Sequence, residues 1–192
     1  MPLRRESIER LTLALAATTF GCGASDSEPE PAQAAPAANM QQPSVFAQLP
    51  PTVVRNLTER RCVIPQSYPD STPHNVVSGQ FTTPGRVDIA VLCLRDTTSV
   101  ILVYRGGVAD SVSELAPRPH LQAELSDTSS GFTFSRAVGV ADSAFIWSRF
   151  EQYGGRRPPT LDHHGINDIF VGKASVVWYW HRGQWLQLQG SD

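Results

Sequence analysis

Two apolar, β-branched runs, "VDIAVLCL" (87–94) and "SVILVYR" (99–105), are separated by only the four residues "RDTT". Runs of this length rich in Val and Ile read as strands, and so short a connection allows little but a reversal. The pair therefore predicts an antiparallel hairpin. A second group, "DIFVG", "ASVVWYWH" and "QWLQLQG" (168–190), predicts a compact meander with Arg182-Gly183 as its last turn. "NVVSGQF" (75–81) is a further strand, followed by a turn with Pro84-Gly85 at its tip.

Two segments have helical character instead. In "LPPTVVRNLTERRC", Pro51 suits a first-turn position, Val53, Val54 and Leu57 share one face, and Arg60 and Arg61 sit where the helix dipole favours cations. In "ADSAFIWSRFEQYGG", Asp142 or Ser143 can cap the start, Ile146, Phe150 and Tyr153 recur at helical spacing, and Gly154 can cap the end. Residues 107–136 mix short apolar pieces with prolines and predict one or two strands with loops. The expected fold is α+β: one compact domain, an antiparallel sheet or meander with two short helices, spanning 44–192.

The front of the chain does not belong to that domain. "MPLRRESIERLTLALAATTFGC" has a basic start and an apolar run from Leu11 to Phe20, ten residues long. That is half of the ~20 a membrane-crossing helix needs, so residues 1–22 read as an export signal. Residues 23–43, rich in Pro, Ala, Gln and acids, cannot bury enough apolar surface to offset chain entropy and read as a disordered tether. Without the signal the chain keeps 13 basic and 16 acidic residues, a net charge of −3 with no basic block. That excludes the clustered positive footprint of a nucleic-acid binder. Cys62 and Cys93 remain as a pair, read as a disulfide in an exported chain, with two buried free thiols as the alternative.

Gly21-Cys22 at the end of the signal resembles the lipobox of bacterial lipoproteins, although Thr19 and Phe20 stand where that family has Leu and a small residue. The resemblance implies diacylation of Cys22 and a membrane partner reached through a lipid anchor. With Gly23 following, it implies an outer-membrane place where the cell has two membranes; ordinary signal cleavage further on, leaving a periplasmic or secreted chain, is the alternative. "RRESI" faintly resembles a twin-arginine export signal. Further on, "GRVDIAVLCLRDTTSVILVYRGG" echoes "GINDIFVGKASVVWYWHRGQW", with Asp88 matching Asp168, in hairpin units of about 75–107 and 159–190. "GQFTTPGRVDIAVL" and "LDHHGINDIFV" resemble degenerate FG-GAP or VCBS-type repeats, whose acidic loops often bind calcium. The folded part as a whole resembles a group of exported bacterial lipoproteins.

The loop "LDHHGIND" (161–168) admits three main readings. As a turn, Asp162 bonds following amides and Gly165 supplies a left-handed conformation; this reading leads. As a weak calcium site it offers Asp162, His164, Asn167 and Asp168, with His164 a poor ligand for a hard cation. As a transition-metal site it offers Asp162, His163, His164 and Asp168, although adjacent histidines seldom reach one ion together. Trp178, Trp180 and Trp185 form a possible binding face, because Trp178 and Trp180 share one side of a strand. The chain has no nucleophile elbow, Walker loop or dinucleotide fingerprint. The expectation is a non-catalytic envelope module that binds a protein or carbohydrate and needs no cofactor. A calcium-supported adhesion module and a small hydrolase are the alternatives.

Overall fold

The two β-rich groups set the architecture. The computed structural model describes residues 39–68, 72–119, 125–128 and 131–189. The export signal, Cys22 and the tether up to residue 38 lie outside the described residues. β1 (Met40–Gln41) pairs antiparallel with β2 (Ile64–Pro65), with Met40 opposite Pro65, so chain assigned to the tether is already tied to the domain at residue 40. Between them α1 (Pro51–Glu59) opens with Pro51 at its first turn and buries Val53 and Leu57, as their spacing predicts.

Two four-stranded antiparallel meanders follow. The first contains β3 (Val76–Gly79), β4 (Asp88–Arg95), β5 (Thr98–Tyr104) and β6 (Val112–Pro119), side by side in that order. Arg95 pairs with Thr98, so the predicted hairpin turns on Asp96-Thr97, with Asp96 at φ 48°. β7 (Leu125–Thr128) and β8 (Gly131–Phe134) form a separate hairpin. The second meander contains β9 (Arg136–Ala141), β10 (Gly165–Phe170), β11 (Ala174–His181) and β12 (Gln184–Gln189). α2 (Ser143–Tyr153) lies between β9 and β10, and the Asp142 carboxylate caps it by accepting from Phe145 N–H at 2.7 Å. The β11–β12 turn is Arg182-Gly183, at φ 50° and 84°, the left-handed pair a two-residue hairpin favours.

Three apolar clusters stack these elements into four layers. Val53 and Leu57 of α1 pack on Val91, Cys93, Val100, Leu102 and Tyr104, one face of the first sheet. The other face, Leu92, Leu94, Ile101 and Val103, meets Val138, Ile166, Trp178 and Trp185 of the second sheet. The far face of the second sheet, Ala141, Val177, Tyr179 and Leu188, is covered by Ile146 of α2. The layers are thus α1, first sheet, second sheet, α2. β4 is central and covered on both sides, which is why "DIAVLCL" is a continuous apolar run rather than an alternating one.

The disulfide is present: Cys62 and Cys93 are bonded, with Cα atoms 5.2 Å apart, and both side chains are buried. It ties the end of α1 to the middle of β4. One sequence expectation needs correction. Residues 107–136 hold three strands rather than one or two, since β6, β7 and β8 all precede Arg136. Ala116 at φ 48° and the prolines at 117 and 119 interrupt the alternation that would have marked β6.

Candidate functional site

The two matching aspartates are the most enclosed acids of the described chain. Asp88, the first residue of β4, is fully buried. Its Oδ2 accepts from Thr82 N–H at 2.8 Å and Thr82 Oγ1–H at 2.7 Å, and its Oδ1 accepts from Gly106 N–H at 2.6 Å. Asp168, in β10, is equally buried, and both its oxygens are held by Arg136 of β9, Nε at 2.7 Å and Nη2 at 3.0 Å. Arg136 is itself fully buried and also donates to Ser99 of β5 and to the Ala116 carbonyl of β6. One guanidinium therefore clasps the two sheets together.

The calcium set proposed for the loop is not assembled. Asn167 and Asp168 are consecutive in β10 and project to opposite faces of the sheet, and the Asp168 oxygens are already paired. Among the described residues no three His, Cys, Asp or Glu groups are placed to hold one ion. Asp162 and His164 do share a depression of about 190 Å³ with Gln80, Asp142, Ser143, Leu161 and His163. His164 is a structural acceptor there: its Nδ1 takes Gln80 N–H at 3.1 Å, while His164 N–H donates to the Gln80 carbonyl at 2.8 Å. The loop thus bridges the end of β3 to the start of β10.

The tryptophans share one side of the second sheet as predicted, but that side faces the first sheet. Trp178 and Trp185 pack half-buried against the inter-sheet core. Trp180 and Trp185 meet edge to face at 5.4 Å, and the Arg105 guanidinium lies 5.7 Å from the centroid of Trp180. Among the described residues, the indole N–H groups of Trp178 and Trp185 are buried without an acceptor. This is a covered face, not an open aromatic platform.

The larger concavity is one that sequence reasoning missed. A groove of about 480 Å³ runs between the turn after α2 (Tyr153, Gly155, Arg156) and the ends of β10, β11 and β12 (Phe170, Val176, Gln187). That volume is within the range of ligand pockets. Arg156 is exposed and has no ion pair among the described residues. Burial pushes the Tyr179 hydroxyl above its ordinary pKa, and the Arg156 guanidinium partly offsets it. The groove depends on where α2 ends against β12, which no local motif announces. A second buried phenol, Tyr104, is pushed up to about 12 by burial while donating to Asn56 Oδ1 at 3.0 Å.

The fold and sites define a disulfide-stapled α+β domain of two stacked antiparallel meanders, each faced by one helix. No family model matches the chain, and no curated protein or solved structure matches it either. No helix among the described residues is long and apolar enough to cross a membrane.

Proposed function

We propose that this chain is an exported cell-envelope protein, held at a membrane through Cys22 and its tether, whose folded domain is a non-catalytic binding or structural module. The buried Cys62–Cys93 disulfide carries the reading, because such bonds form and persist in oxidising compartments and are rare in the cytosol. The fate of the acids supports the non-catalytic half. Asp88 and Asp168, the two acids the repeat singles out, are both consumed by internal donors. The calcium-supported adhesion module is the weaker reading, since Asp168 is taken by Arg136 and the tryptophan face is covered.

Two measurements on cells producing the protein test it. Metabolic labelling with an alkyne fatty acid should tag the wild-type chain and leave Cys22→Ser unlabelled and released from membranes. A thiol reagent added after acid quench should modify the pair only after reduction. An unlabelled wild-type chain would remove the anchor, and freely reactive thiols at Cys62 and Cys93 would remove the export argument.

A further inference from the structure

The arginines of the described chain sort by what holds them. Arg60 and Arg95 share Glu114, Arg61 meets Asp96, Arg86 lies beside Asp88 and Arg136 clasps Asp168. Arg105, Arg118, Arg149 and Arg157 lie over aromatic rings, 4.6–5.7 Å from the centroids. Among the described residues, Arg55, Arg156 and Arg182 have neither an acid nor a ring as partner. Of these three only Arg156 borders the groove of about 480 Å³. Its electrostatic neighbour, the Tyr179 phenol, is kept neutral by a raised pKa and leaves the guanidinium charge uncompensated.

The way α2 ends shapes the place. Gly154 N–H closes the helix onto the Phe150 carbonyl at 2.8 Å. Gly154 and Gly155 then stand at φ 73° and 97°, a left-handed pair that turns the chain out of the helix. A Cβ at Gly154 would meet no atom within 4 Å, and one at Gly155 would stand 3.5 Å from Leu188 Cδ1. Two residues without side chains therefore leave this wall bare, with Arg156 next to it and Tyr153, Phe170, Val176 and Leu188 as apolar lining. Among the described residues that line the groove, Arg156 is the only one with a charge.

We propose that this groove binds a small organic monoanion, one carboxylate on an apolar ring or short chain, with the carboxylate at Arg156 and the apolar body along the remaining lining. Charge complementarity sets the sign, since the lining offers one unpaired cation and no acid. The planar guanidinium fork matches a carboxylate through two parallel N–H···O bonds. Valence follows from the same count. A phosphate monoester carries nearly two charges at neutral pH, and the C-terminus of α2 at Tyr153 adds roughly half a negative charge beside the groove. One guanidinium offsets a monoanion and leaves the second phosphate charge unmatched. Such a ligand belongs to the binding half of the functional reading, on which it rests, and owes nothing to the anchor.

The test titrates the full chain, carrying Cys22→Ser so that no acyl chain competes for the groove, with four probes on one ring system. These are naphthoate, neutral naphthamide, naphthylmethylammonium and naphthyl phosphate, read by calorimetry and by amide chemical shifts at neutral pH. Naphthoate is expected to bind about tenfold tighter than naphthamide, and tighter than the ammonium and the phosphate. The shifts should fall at Gly154–Arg156 and Leu188 rather than at Asp162–His164. Arg156 is exposed, so Arg156→Gln leaves the fold intact and should reduce naphthoate to the affinity of naphthamide. Arg156→Lys should recover part of the difference, since it keeps the charge and loses the fork. Absence of naphthoate binding in the millimolar range overturns the proposal, as does equal binding of acid and amide, tightest binding of the ammonium or the phosphate, shifts confined to Asp162–His164, or indifference to Arg156→Gln. Failure here with Cys22 still labelled by fatty acid would leave an anchored structural module, so the two readings fail separately.

Discussion

Replacing Asp168 by alanine tests whether the β10 aspartate is a sheet clasp or a metal ligand. The change removes the acceptor of two Arg136 N–H groups, at 2.7 and 3.0 Å, while the guanidinium stays in a fully buried site. Bonds to Ser99 and Ala116 remain, but the charge loses its only ion-pair partner among the described residues. Breaking a buried pair from one side typically costs about 3–5 kcal/mol, a large share of a total stability of about 5–15 kcal/mol. At about 2–4 °C per kcal/mol for a chain of this size, the melting temperature should fall by roughly 6–20 °C.

The assay is equilibrium denaturation, read as a fall in midpoint at unchanged slope. Removing both charges together, as Arg136→Met with Asp168→Leu, should recover most of the loss, because the apolar pair leaves no uncompensated ion. A metal ligand behaves otherwise: its loss is felt only when the ion is present. If Asp168→Ala cost under about 1 kcal/mol without calcium, or the double variant were worse than the single, the clasp reasoning would fail.

Three further outcomes follow from the structure. Changing both Cys62 and Cys93 to serine should cost about 3.5 kcal/mol on the chain-entropy model, and reductant should lower the wild-type melting temperature while leaving that variant unmoved. His74 has its pKa lowered by burial, with Nε2 accepting from Ser67 N–H at 2.7 Å. Its folded pKa lies below its unfolded value, so its contribution is complete above about pH 6.5 and declines as pH falls below that; denaturation midpoints from pH 5 to 8 should show a slope that His74→Gln flattens. Calcium should leave the melting temperature unchanged, because the Asp168 oxygens are occupied; a calcium-specific rise abolished by Asp162→Ala would show that the loop rearranges to take the ion.

Much of the secondary structure was legible because it rests on local chemistry. Asp142 and Gly154 bracket α2, Pro51 opens α1, and Arg182-Gly183 and the "RDTT" turn close hairpins over two residues each. The layering left one trace, the unbroken apolar run of β4, which a strand needs when both its faces are covered. What stayed hidden is long-range. Arg136 sits in "FSRAVG" with nothing nearby to mark it as the one fully buried arginine among the described residues, and its partner is 32 residues away. The alternation at Trp178–Trp180 showed that the rings share a face. It could not show that the face is turned to another sheet, because a stacked sheet and an open platform impose the same period.

The two aspartates show how a carboxylate buried beside a strand is satisfied. A carboxylate buried beside a strand must be neutralised, and the donors within reach decide how. For Asp88 these are two backbone amides and a hydroxyl, with the Arg86 guanidinium 3.6 Å away; for Asp168 they are one guanidinium shared with the other sheet. Each solution leaves both oxygens of the aspartate engaged by internal donors. Among the described residues, the groove flanked by Arg156 is a concavity whose lining includes neither of these engaged aspartates.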